Sequence, residues 1–148
     1  MTDLFTQRLK EERLKHNWSQ RYIAQSVGID ENTYHNYEYG NCKPSLPRLF
    51  SLAQLLDVSL DYLCGRSHNR QAYCLPEHPD IALLLSQNLK RLRRASGITQ
   101  KQAAQALGLS EHAYQYYEIR QRLPQYGTFM LLADLYHTAL DRLAAGQE

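Results

Sequence analysis

Residues 19–38 read SQRYIAQSVGIDENTYHNYE, and residues 99–118, eighty positions later, read TQKQAAQALGLSEHAYQYYE. Each stretch opens on Ser or Thr, an N-cap residue, and reaches a Gly where a chain turns with positive φ. A second polar cap, Asp30 or Ser110, follows two residues later and starts another helical period. Two short helices joined by a three-residue turn are the local requirement of a helix-turn-helix. Ala24 and Ala104 are small where the two helices cross, and Ile29 and Leu109 plug the turn into the core. Tyr34 and Tyr37 share one face of the second helix and Tyr114 and Tyr117 do the same, so all four are expected in the core. The opposite face of the first copy carries Glu31, Asn32, His35 and Asn36 and is polar throughout.

The register of eighty extends outward from these stretches. Leu9, Lys10, Arg13, Pro44, Leu52, Ala53, Leu55, Leu60, Asp61 and Leu63 recur as Leu89, Lys90, Arg93, Pro124, Leu132, Ala133, Leu135, Leu140, Asp141 and Leu143. Repetition without a gap makes the chain two copies of one domain. The first copy predicts helices over 4–16, 20–27, 31–39, a fourth with Pro47 in its first turn ending near Leu56, and a short fifth opened by Ser59 and closed at Gly65. In the second copy Asp80 starts the first helix earlier, and Thr99 with Gln102 forms a capping box. The fold class is therefore all-α, two five-helix domains in tandem at 1–66 and 80–148. A linker at 67–79 holds two prolines and no helical period.

At 148 residues, 43% hydrophobic and 22% charged, the chain has the composition of a globular protein rather than a disordered or fibrous one. Its apolar runs are far shorter than the roughly 20 residues of a membrane span. The first residues lack the basic-then-apolar pattern of a signal peptide. Three cysteines with no C-x-x-C pair fit free thiols in a reducing compartment, so the protein is read as cytoplasmic. Net charge is +2, and the second copy is the more basic, with Lys90, Arg91, Arg93 and Arg94 its densest cluster.

On Ser19-Gln20, Ala24, Gly28, Tyr37-Glu38 and Lys43-Pro44-Ser45, with Thr99-Gln100, Ala104, Gly108 and Tyr117-Glu118 as counterparts, the chain resembles the Xre/Cro-like, or lambda-repressor-like, helix-turn-helix family twice. The resemblance implies transcriptional regulators, repressor-type above all, that read double-stranded DNA through the second helix of the motif. Gln20 and Gln100 match the position contacting the DNA backbone or an edge base, with Arg21 and Lys101 beside them. A free helix N-terminus attracts phosphate there. Glu31, Asn32 and Asn36 match base-reading positions, flanked by Thr33 and His35. Asn bonds adenine in bidentate fashion, and Glu accepts from cytosine. Lys43 suits a phosphate contact that fixes register. Arg13 with Glu38, and Arg93 with Glu118, match a family ion pair between the first and third helices.

The second copy departs at the reading face, which becomes Glu111, His112, Gln115 and Tyr116, with Ala113 for Thr33. Tyr116 is bulkier than a usual polar reader and suits a thymine methyl or a phosphate. Gly40 becomes Arg120 and Lys43 becomes Leu123, while Arg120 and Arg122 keep positive charge in the loop. One alternative therefore assigns one copy to dimerisation or to docking a partner protein.

Cys64, His68, Cys74 and His78 form Cys-x3-His twice around the linker, residue types that bind zinc. Cys64 falls where the family places an apolar core residue, so no metal is expected. Cys42 beside Lys43 is a conceivable redox site, and His35 and His112 conceivable pH-sensitive readers. The bland readings, an incidental thiol and polar readers, are preferred. Tyr39 and Tyr116 are the expected surface aromatics. No Gly-rich phosphate loop or Ser/His/Asp arrangement is present, so neither an enzyme nor a cofactor is expected.

Overall fold

A computed structural model describes residues 3–71 and 80–145. They fall in two compact units divided between Cys74 and Leu75, and every regular element among them is a helix. The first unit holds α1 (Leu4–Lys15), α2 (Gln20–Val27), α3 (Glu31–Tyr39), α4 (Leu46–Leu56) and α5 (Leu60–Leu63). The second holds α6 (Ile81–Ser96), α7 (Gln100–Leu107), α8 (Glu111–Glu118), α9 (Tyr126–Leu135) and α10 (Leu140–Ala145).

The helices start where short-range chemistry starts them. Side chains of Asp3, Ser19, Asp30 and Ser59 each accept from the backbone N–H three residues on, and Asp80, Thr99 and Ser110 do so in the second unit. Thr99 and Gln102 form both halves of the expected capping box, at 2.9 and 3.1 Å. Each such cap stabilises its helix by about 1 kcal/mol.

Packing then follows the apolar spacing. Leu9, Ile23, Ala24, Tyr34, Tyr37, Leu49, Leu52, Leu60 and Leu63 build the first core, and Leu89, Ala103, Ala104, Tyr114, Tyr117, Phe129, Leu132, Leu140 and Leu143 the second. Ile29 and Leu109 are half-buried, shallower plugs than the sequence suggests. Leu56 and Tyr136 occupy equivalent places with different consequences. The Tyr136 hydroxyl lies 2.5 Å from that of Tyr114, whereas the buried Tyr34 hydroxyl has no hydrogen-bond partner of acceptable geometry.

Backbone conformation repeats even where residue type does not. Positive φ occurs at Asn17 and Gly97, Gly28 and Gly108, Gly40 and Arg120, and Asp57 and His137, four pairs each eighty positions apart. Glycine takes this conformation freely, while a residue with a Cβ is strained by about 1–2 kcal/mol. The fold demands the turn, and the sequence supplies glycine at four of these eight positions.

Residues expected to begin the linker instead belong to the first unit. Ser59 donates its N–H to the Arg70 carbonyl (3.1 Å) and its hydroxyl to the Asn69 carbonyl (2.9 Å). Arg8 donates to the Tyr62 and Ser67 carbonyls at 2.5 and 2.9 Å. Arg70 then clasps Glu12 in bidentate fashion at 2.9 and 2.6 Å. The physical reason is Glu12, whose side chain is 0% exposed on α1 and whose charge needs a cation. Asn88, which replaces Arg8 in the repeat, ties α6 to the Leu143 carbonyl at 2.8 Å, so both domains fasten their first helix to the end of their last.

Candidate nucleic-acid interface

In the first unit α2 and α3 pack against each other with Gly28 between them, at φ 76°. The packing leaves Arg21 exposed on α2, Glu31, Asn32 and His35 exposed on α3, and Thr33 and Asn36 half-exposed on α3, where Tyr34 and Tyr37 face the core. Thr33 is not a free reader. Its N–H and hydroxyl bond Asp30 at 2.7 and 2.8 Å, making it part of the cap.

Beneath this face lies an ion pair that fixes α1 against α3. Arg13 Nε and Nη2 donate to Glu38 at 2.6 and 3.0 Å, and Nη1 donates to the Trp18 carbonyl at 2.8 Å. Side-chain exposure is 11% for Arg13 and 4% for Glu38, so the pair is largely removed from water. Burial alone would raise the Glu38 pKa, but hydrogen bonds led by that from Arg13 hold it below the usual glutamate range. Gln20 extends the network outward: its amide donates to Glu38 at 3.2 Å and its carbonyl oxygen lies 3.3 Å from His35 Nδ1. The residue expected at the DNA backbone therefore also connects the buried pair to the reading face.

The second unit rebuilds this arrangement. Arg93 donates to Glu118 at 2.7 and 3.2 Å and to the Ile98 carbonyl at 3.2 Å, and Gln100 donates to Glu118 at 3.1 Å. The Glu118 carboxyl is likewise held low, burial being outweighed by Arg93 and Gln100. Arg93 thus serves the interior, which thins the basic cluster noted on the sequence. Lys101, Glu111, His112 and Tyr116 are exposed and Gln115 half-exposed.

The loops after the recognition helices carry a feature that sequence reading missed. Lys43 forms an ion pair with Asp3, the cap of α1, and lies 4.9 Å from the Phe5 ring centre. Arg120 pairs with Asp80, the cap of α6, at 3.0 Å. Neither partner of one pair is repeat-equivalent to a partner of the other, yet each domain ties its loop cation to the cap of its first helix. Lys43, expected on the sequence at a phosphate, and Arg120, expected to keep positive charge in the loop, are each paired within their own domain. The repeat hides this tie because it is remade with different positions, forty residues apart in both cases.

A family pattern described as helix-turn-helix matches residues 9–63, and one described as a helix-turn-helix domain matches residues 84–146. The chain belongs to the helix-turn-helix family, in the tandem Xre-like form. This tandem helix-turn-helix chain is 47% identical over 64 residues to the HTH-type transcriptional regulator AnsR of Bacillus subtilis, covering 43% of this chain and 55% of that one. It is 39% identical over 62 residues to the uncharacterized HTH-type transcriptional regulator YobD of the same organism, covering 42% and 55%. Over 60 residues it is 37% identical to the cryptic phage CTXphi transcriptional repressor RstR of Vibrio cholerae, covering 40% and 54%. The matches span just over half the length of these relatives. No solved structure matches the chain.

Of the suspected zinc ligands, Cys74 and His78 lie outside the described residues. His68 sits 3.4 Å from Arg8 Nη2, Cys64 is half-buried at the end of α5, and Cys42 is exposed. Among the described residues no three metal-binding side chains gather, and no helix is long and apolar enough to cross a membrane.

Proposed function

We propose that the chain is a sequence-specific regulator of transcription, repressor-type, whose helices α3 and α8 enter the major groove of double-stranded DNA. The carrying observation is the pairing, in both domains, of an outward polar recognition face with a buried Arg–Glu–Gln network that fixes its angle. Asn32, Asn36 and Glu31 are the base readers of the first domain. Arg21 and Lys101 lie exposed next to the N-termini of α2 and α7, where a phosphate gains from the helix ends. The resemblance of the relatives, named as transcriptional regulators and one as a repressor, supports the same reading.

One chain supplies two reading helices, so it acts as a pseudo-dimer on an asymmetric site. Recognition helices of dimeric repressors sit about 34 Å apart. The 13 residues of 67–79 would reach roughly 43–47 Å if extended. Ser67, Asn69 and Arg70 are bonded within the first domain, which shortens that reach. A role at DNA is consistent with a cytoplasmic location. The competing reading gives one domain to dimerisation or partner docking, and the altered face of α8 favours α8 as that domain.

Selection from random duplexes with the full chain, followed by titration over a salt series, tests the proposal. A bipartite motif with unlike halves is expected. Enrichment of one half-site alone would favour the competing reading, and no enrichment would sink the DNA proposal.

A further inference from the structure

The two loops after the recognition helices fold back on the same reading position. Positive φ at Gly40 and Arg120 reverses the chain, so that Asn41 N–H donates to the Asn36 carbonyl at 3.0 Å and Gln121 N–H to the Tyr116 carbonyl at 2.9 Å. In the first domain the returning loop supports its reader with an amide: Asn41 Nδ2 donates to Asn36 Oδ1 at 3.1 Å. In the second, the reader changes and its support comes from the next loop position. Tyr116 stands for Asn36 and Arg122 for Cys42, and the Arg122 guanidinium carbon lies 5.4 Å from the Tyr116 ring centre, within cation–π range. Tyr116 is 38% exposed, and Arg122 is exposed.

These two loop arginines differ in use. Arg120 is occupied by the Asp80 carboxylate, whereas the partner found for Arg122 is the face of a ring that itself lies on the recognition surface. Stacking uses the flat face of a guanidinium and leaves its N–H edges free, in the fork geometry that matches a pair of adjacent acceptors. In the major groove that acceptor pair is guanine O6 and N7.

We infer that Tyr116 and Arg122 form one composite reader in which the tyrosine ring positions the arginine to recognise guanine in the second half-site. This rests on the DNA-binding proposal above and specifies the chemistry of its second domain. Asn32 and Asn36 favour adenine, so the two half-sites differ in composition. Tyr116 is then a positioning residue, not the thymine-methyl or phosphate contact its size suggested.

The test is random-duplex selection and salt-dependent titration with the full chain and its Tyr116→Phe, Tyr116→Leu and Arg122→Ala variants. The wild type is expected to enrich guanine at one position of one half-site. Arg122→Ala and Tyr116→Leu should flatten that position, a loss of about 5- to 150-fold in discrimination, with the rest of the motif intact. Tyr116→Phe, which keeps the ring, should retain it. A loss uniform over all sequences, with a shallower salt slope, would make Arg122 a phosphate clamp and overturn the inference, as would an unchanged motif in Tyr116→Leu. A wild-type chain that enriches nothing would remove the DNA proposal and this inference together, an outcome separate from the other two because those require a wild-type motif.

Discussion

Replacing Glu38 with Gln keeps the size of the side chain and removes its charge, leaving Arg13 to face an amide through the same gap. In the wild type the two form a bidentate pair at 2.6 and 3.0 Å with 11% and 4% side-chain exposure. Removing one partner of a buried pair costs about 3–5 kcal/mol because the other charge stays desolvated. Arg13 retains its bond to the Trp18 carbonyl, so about 3 kcal/mol is expected for Glu38→Gln. For a domain of this size that is about 12–24 °C in Tm. It corresponds to about 3 M in the urea midpoint if the urea slope is about 1 kcal/mol/M.

The readout is built in. Trp18 is the single tryptophan of the chain and stacks on His16 at 4.2 Å, so its fluorescence follows the first domain. The folded Glu38 carboxyl has a depressed pKa, so its stabilisation is fully present above the usual glutamate range and is lost as pH falls through the folded value. The gap between wild type and Glu38→Gln should accordingly be widest at neutral pH and close in acid. A neutral-pH difference under about 1 kcal/mol, the worth of an exposed pair, would refute the claim that this pair is buried and strong. So would a difference that acid leaves unchanged.

Further expectations concern single places in the fold. Tyr114→Phe should cost about 1–3 kcal/mol by stranding the buried Tyr136 hydroxyl, while Tyr34→Phe should be nearly neutral because its hydroxyl has no partner to lose; equal costs in chemical denaturation would contradict this. Arg70→Ala should lower the Trp18 transition by about 2–3 kcal/mol, since Glu12 has 0% side-chain exposure and keeps Lys15 alone; an unchanged transition would return residues 67–71 to the linker. His137→Gly should stabilise the second domain by about 0.5–1 kcal/mol by relieving a left-handed turn at φ 50°, measured by circular dichroism, and a loss would show that no strain is stored there. Lys101→Ala should weaken DNA binding evenly across sequences and reduce the salt slope by about one, whereas a changed base preference would make Lys101 a reader.

Much of this protein is set within a few residues of chain. Caps such as Asp30 with Thr33, the glycine turns at 28 and 108, and the inward tyrosines three apart are local chemistry, and the repeat exposes them twice. The sequence by itself therefore determined two helical domains, the place of each helix-turn-helix, and which face of α3 and α8 points outward. The Arg13–Glu38 and Arg93–Glu118 pairs were legible through the family resemblance.

Other features join residues far apart in sequence, and no local pattern announces them. Glu12 meets Arg70 across 58 positions, and Lys43 and Arg120 each reach back 40 to an N-cap aspartate. Left-handed turns at Asp57 and His137 lack glycine, so only the packed backbone reveals them. Tertiary structure decided how far the first domain extends, which cations are already engaged, and that Arg122 lies on Tyr116. The physical reason is that capping and helical period act over three or four residues, whereas a buried charge takes whichever partner the packing of distant helices brings within about 3 Å.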